Sequence, residues 1–131
     1  MKYLITGGAG FIGSHISQTL LARGETVRIL DNFSTGKREN IAVLTQQFGR
    51  AQLEIMEGDV RDASRVKEAV SGIEIIFHEA AFVSVPQSMD EPQNCFDVNL
   101  TGTSQLFDAA RRAGVRPGEG PAAVLVCRSA S

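Results

Sequence analysis

At 131 residues, with 43% hydrophobic and 21% charged side chains, the chain is sized for one domain and one core, and is neither a disordered tail nor a fibre. Thirteen Lys and Arg stand against 15 Asp and Glu, a formal net charge of -2, so no basic surface recommends nucleic acid as a partner. No apolar run reaches the length of a membrane span, a glycine cluster arrives too early for a signal peptide, and Cys95 and Cys127 form no Cys-x-x-Cys pair, so a reduced, cytoplasmic chain is expected.

Short apolar runs rich in Val, Ile and Leu recur along the chain, separated by stretches of helical period. Tyr3-Leu4-Ile5 predicts the first strand. After the glycine cluster, Ile12, Ile16 and Leu20 fall four apart and predict one helical face. Val27-Arg28-Ile29-Leu30 predicts the second strand, and Ile41, Leu44 and Phe48 the next helix. Leu53-Glu54-Ile55-Met56 reads as a strand, Val66, Ala69 and Val70 as a helix face, and Ile73 to Phe77 as a strand again. The longest helix is expected to be capped by Asp90 and to carry Pro92 in its first turn. Its stripe would be Phe96, Leu100, Phe107 and Ala110, and it would stop at Gly114. A turn-rich insert, residues 116–121, precedes a fifth strand from Ala122 to Cys127.

Strict β-α alternation predicts an α/β fold, a Rossmann-type doubly wound parallel sheet of five strands in the order 3-2-1-4-5, with residues 1–131 as one domain. Strand five would then be an uncharged edge open to self-association, which sedimentation would register as a concentration dependence.

Chemistry enters at Thr6-Gly7-Gly8-Ala9-Gly10-Phe11-Ile12-Gly13, between the first strand and the first helix. The segment satisfies Gly-x-Gly-x-x-Gly through Gly8, Gly10 and Gly13, and Gly-x-x-Gly-x-x-Gly through Gly7, Gly10 and Gly13. Glycines allow a tight turn and let a pyrophosphate approach the backbone, while the free N–H groups and dipole of the helix start attract the anion. Gly13 is expected to let the helix pack close to the sheet. A tight turn without ligand is the competing reading. Asp31, 18 residues beyond Gly13, follows directly after the second predicted strand. A carboxylate there accepts from ribose hydroxyls and repels a 2′-phosphate, which favours NAD over NADP; an ordinary turn residue is the alternative. Lys37 and Arg38 follow closely and read either as phosphate contacts or as solvated charges.

Five segments in this order and spacing resemble the extended short-chain dehydrogenase/reductases, in the NAD-dependent sugar-nucleotide epimerase and dehydratase branch, with UDP-glucose 4-epimerase-like enzymes as the nearest group. They are Thr6 to Gly13; Asp31-Asn32-Phe33-Ser34-Thr35-Gly36; Gly58-Asp59-Val60-Arg61-Asp62; His78-Glu79-Ala80-Ala81; and Val98-Asn99-Leu100-Thr101-Gly102-Thr103. The resemblance implies backbone contacts from Phe11 and Ile12 to the pyrophosphate. It implies Asp31 and Asn32 on the adenosine ribose, and Asp59 on the adenine amino group with the Val60 backbone beside it. Ala80 and Ala81 would line the nicotinamide-side ribose, and Asn99 would help fix the active-site helix and strand. Structural readings compete at each. Asp62 is the expected N-cap of the third helix, with Asp59 a second candidate. Ala80 and Ala81 fit close packing, and Asn99 fits a buried, satisfied amide. His15 and His78 read as structural, and the scattered His and Cys suggest no metal site.

The resemblance also implies a Tyr-x-x-x-Lys acid/base pair and a Ser or Thr after strand five. Tyr3 is the single tyrosine, and Gly7 rather than Lys lies four positions on. Ser129 matches the Ser/Thr position, with Arg128 where a small polar residue is usual. The chain is therefore expected to be the NAD-binding portion of such an enzyme, without its substrate-binding C-terminal part, and inactive alone. It would meet a nucleotide sugar only when completed. A non-catalytic dinucleotide-binding module and a vestigial truncated product are the alternatives.

Overall fold

The computed structural model describes residues 2–33, 37–49, 51–79, 103–113 and 123–126. Four strands, β1 (Lys2–Thr6), β2 (Thr26–Asp31), β3 (Leu53–Glu57) and β4 (Ile75–His78), pair in parallel in the order β3-β2-β1-β4. A four-residue strand, β5 (Ala123–Val126), runs parallel to β4, with Ile75 opposite Ala123 and His78 opposite Val126. The helices are α1 (Phe11–Ala22), α2 (Arg38–Gln47), α3 (Ala63–Val70) and α4 (Thr103–Ala113). None of the described helices is long and apolar enough to cross a membrane.

Side chains alternate across a strand, so each central strand feeds two cores. Leu4 and Leu30 point to one face, where Val66, Ala69 and Val70 of α3 and Leu106 and Ala110 of α4 cover them. Ile5, Val27 and Ile29 point to the other, under Leu20 and Leu21 of α1 and Ile41 and Leu44 of α2. Apolar surface on both sides of β1 is what places helices on both faces of the sheet.

Two local expectations need correction. In α1 the buried positions are Gly13, Ser17, Leu20 and Leu21, whereas Ile12 is exposed. The helix turns its small residues inward because Gly13 sits against the loop before it, and this rotates the face away from Ile12. Asp31 is the last residue of β2 rather than the residue after it, and it is buried. Asp90, Pro92, Phe96, Leu100 and Gly114 lie outside the described residues.

Arg28 breaks the apolar run of β2 yet is buried. It points to the α3 face, where its Nη1 donates to the carbonyls of Ala69 and Ser71, both at 2.8 Å, and its Nε donates to Glu54 at 2.8 Å. The guanidinium thus supplies donors to the carbonyl end of α3, where a cation is favoured by the helix dipole. We predict that Arg28→Ala costs about 2–4 kcal/mol, because buried carbonyls lose their donors, with Arg28→Lys recovering only part. Urea denaturation measures this, and a cost under about 1 kcal/mol would mean that water replaces the guanidinium.

His78 lies at the end of β4, opposite Thr6 of β1. Thr6 Oγ1 accepts the Glu79 N–H at 3.1 Å and lies 2.6 Å from His78 Nδ1. The Glu79 N–H also reaches the Thr6 carbonyl at 3.0 Å, and the Thr6–His78 hydrogen bond joins β1 to β4 in either tautomer of the ring. Burial pushes the imidazole down to about 4. The unfolded chain binds this proton below about pH 6.5 and the folded chain only near 4. Stability from His78 is therefore complete above 6.5 and declines as pH falls toward 4. We predict a loss of about 2–3 kcal/mol from this group between about pH 7.5 and 4.5. Denaturation of His78→Gln at the two pH values should show a loss smaller by that amount, and an equal loss would contradict the lowered titration of His78.

Candidate functional site

The candidate site gathers at the carboxyl ends of β1, β2 and β3, where β1 hands over to its first crossover. Sheet order reverses beside β1, since the chain winds outward through β2 and β3 and then returns to β4 on the other side. A crevice at such a reversal is the usual ligand position in an open α/β sheet.

The loop from Gly7 to Gly10 turns sharply. Gly7 has φ 73°, a conformation that side chains disfavour. Its N–H donates to Leu30 O at 2.8 Å, and its carbonyl accepts the Gly10 N–H at 3.0 Å. A Cβ on Gly13 would overlap the Gly7 carbonyl oxygen, so the helix start is packed on the loop itself rather than on the sheet. A Cβ on Gly8 would come 2.5 Å from Ile29 Cγ2. Gly7, Gly8 and Gly13 are therefore required by the folded loop itself, and a ligand adds a second reason at the helix start. There Gly10 is the N-cap and supplies no side-chain acceptor, while Ser14 is the first N–H to bond back, to Gly10 O at 2.9 Å. The N–H groups of Phe11, Ile12 and Gly13 have no intrahelical acceptor, which is the arrangement that receives an anion.

Asp31 stands beside this loop. One carboxylate oxygen accepts the Ala9 N–H at 2.9 Å and the other accepts the Phe33 N–H at 2.7 Å. Each carboxylate oxygen offers more than one acceptor direction, so capacity remains for hydroxyl donors. The Asp31 main-chain carbonyl also accepts from Gly58 N–H at 3.0 Å, which ties the end of β2 to the end of β3. Phe33 has φ 59°, and the Arg38 guanidinium lies 4.2 Å from its ring centroid while bonding Glu57 at 2.7 Å.

Asn32 and Asp59 meet across the strand ends, Nδ2 to Oδ2 at 3.0 Å. Arg61 donates to Asp59 from its backbone N–H at 2.8 Å, from Nε at 3.0 Å and from Nη2 at 2.6 Å. Chiefly through that guanidinium, Asp59 is held down to about 2 against the opposing effect of burial. The acceptor is thus ionised at neutral pH. Asp59 does not cap α3; that role belongs to Asp62, whose carboxylate accepts from Ser64 and Arg65 N–H. The Val60 side chain is buried in the core.

Gly7, Gly10, Phe11, Ile12, Gly13, Asp31, Asn32, Asp59 and Val60 thus share the carboxyl end of the sheet. Ala80, Ala81, Asn99 and Ser129 lie outside the described residues. Sequence reasoning missed Arg61, whose place two residues after Asp59 is itself a usable signal, and Asn40, whose side chain donates to Ala9 O at 2.8 Å.

Comparison with known proteins follows the same outline. The family model described as GDP-mannose 4,6 dehydratase matches residues 4–129. A UDP-glucose 4-epimerase of Klebsiella pneumoniae is 41% identical over 118 residues, covering 88% of this chain and 84% of that protein. The crystal structure of Thermus thermophilus UDP-glucose 4-epimerase in complex with NAD is 42% identical, with a TM-score of 0.72 over 88% of this chain and 35% of that one. The dTDP-glucose 4,6-dehydratase DesIV of Streptomyces venezuelae, solved with NAD and TYD bound, is 35% identical, with a TM-score of 0.80 over 88% of this chain and 37% of that one. Against both solved enzymes the chain spans little more than a third of the length.

Proposed function

The chain belongs to the GDP-mannose 4,6-dehydratase family, and from that membership we propose that it is the NAD-binding portion of an NAD-dependent epimerase or dehydratase of nucleotide sugars. One observation carries the proposal: an uncapped helix start and a buried carboxylate bracket the same loop. Phe11, Ile12 and Gly13 hold the pyrophosphate through backbone N–H groups, over the turn that Gly7 and Gly10 allow. Asp31 and Asn32 hold the adenosine ribose. Asp59 accepts from the adenine amino group, beside the Val60 backbone. Ala80 and Ala81 make room on the nicotinamide side, Asn99 supports that wall, and Ser129 orients a substrate hydroxyl. Bound NAD supplies the hydride acceptor and donor of this family's chemistry.

Two features favour NAD over NADP. The Asp31 carboxylate repels a 2′-phosphate at the ribose, and Arg38, a cation that could neutralise one, is engaged with the Phe33 ring and Glu57.

Acid/base chemistry is a different matter. General acid catalysis on a sugar hydroxyl needs a phenol within hydrogen-bond reach, tuned by a cation. Tyr3, the one tyrosine of the sequence, lies in β1 near its amino end, packed beside Phe77 and away from the loop. We therefore propose that the 131-residue chain by itself binds NAD without turning over a nucleotide sugar. A dinucleotide-binding module without catalysis is the second reading, favoured by the same missing pair.

Calorimetric titration of the purified chain tests both statements. NAD is expected to bind at least about tenfold more tightly than NADP. Asp31→Ala is expected to weaken NAD by about 10- to 100-fold, the loss of charge-assisted hydrogen bonds. UDP-glucose with NAD should give no epimerised product. Equal affinity for the two cofactors, or turnover, would contradict the proposal.

A further inference from the structure

Ala9 is wholly buried in the middle of the glycine loop, and both polar groups of its residue are held by elements outside the loop. Its N–H goes to Asp31 Oδ2 at 2.9 Å. Its carbonyl accepts twice, from the Lys37 backbone N–H at 3.0 Å and from Asn40 Nδ2 at 2.8 Å. Two acceptor directions of one carbonyl are thereby used. Asn40 is the third residue of α2, and the N-cap of that helix, Lys37, supplies no side-chain cap. Its amide reaches back from the helix start to the loop, joining the start of α2 to the segment that leads into α1.

We infer that Asn40 is a positioning residue for the phosphate loop. Ala9 precedes Gly10, the N-cap of α1. Fixing its peptide groups on both sides fixes the direction in which the N–H groups of Phe11, Ile12 and Gly13 point. Without the clamp, the neighbouring Gly7, Gly8 and Gly10 are free to sample conformations that other residues cannot. Of the two donors to the Ala9 carbonyl, only Asn40 donates from its side chain, so it is the one a substitution removes cleanly. The consequence for binding rests on the NAD reading above; the consequence for the loop does not.

The test compares the full chain with Asn40→Ala and Asn40→Asp. The aspartate variant keeps the shape, removes the donor and places an acid in the first turn of α2, where the helix dipole favours it. Its defects are therefore not those of a weakened helix. Amide hydrogen exchange without ligand should show the Ala9 N–H exchanging at least about tenfold faster in both variants, with β1 and β2 amides unchanged. Calorimetry should show NAD weakened by about tenfold, with adenosine, which has no phosphate, within about twofold of the parent. Unchanged Ala9 exchange overturns the inference. So does a uniform acceleration of core amides with equal loss of NAD and adenosine, which marks general destabilisation. If the parent chain binds no NAD while Ala9 exchange responds as expected, the NAD reading fails and the clamp stands.

Discussion

The Asp31 carboxylate takes the Ala9 N–H on one oxygen and the Phe33 N–H on the other, so the loop after β1 and the turn after β2 share one acceptor. Burying a carboxylate is costly unless donors replace water, and these two N–H groups are such donors. Charge-assisted hydrogen bonds of this kind contribute about 1.5–3 kcal/mol each, comparable with the entropy of ordering one or two loop residues. The same side chain is therefore suited to stiffening the loop before any ligand arrives and to meeting a ribose afterwards. Asp31 is a structural residue and a binding candidate at once, and those roles do not compete for the same acceptor directions.

The remainder of the site is arranged around that strut. Gly13 packs on Gly7, and Gly8 packs on Ile29 of β2, so neither position has room for a side chain. The end of β3 leads into a second carboxylate under different constraints. Asp59 is partly exposed and surrounded by donors from Arg61 and Asn32, which keep it ionised. Arg28 and His78 do comparable work on the sheet, one tying β2 to the end of α3 and the other tying β4 to β1. Asp31, Arg28 and His78 are thus buried where one element must be fixed to another, and apolar contact holds the faces.

Much of this was legible in the sequence because it depends on local period and spacing. The alternation of strands and helices follows from runs such as Leu4-Ile5 and Ile29-Leu30, which feed opposite faces. The sharp turn into an uncapped helix start follows from glycines between a strand and a helix. What was not legible depends on contacts between distant residues. Ile12 looks like a core position by its spacing with Ile16 and Leu20, yet the close packing of Gly13 on Gly7 rotates it outward. Arg28 sits in an apolar run, and the carbonyls it holds, those of Ala69 and Ser71, lie more than 40 residues away at the end of α3. Asn40 looks like any polar residue in a first helical turn, and only the placed loop shows what it holds. Ala80, Ala81, Asn99 and Ser129 were suggested by resemblance alone, so their roles stand as proposals.

The central claim is that the loop, Asp31 and Asp59 form a site already shaped for a dinucleotide. Backbone amide resonances of the chain, followed by NMR during addition of NAD, test it most directly. The account predicts saturable shifts concentrated at residues 7–13, 31–33 and 59–61, with the β1 and β2 core resonances unmoved. Absence of shifts at those three segments, or a chain-wide rearrangement on adding NAD, would contradict it.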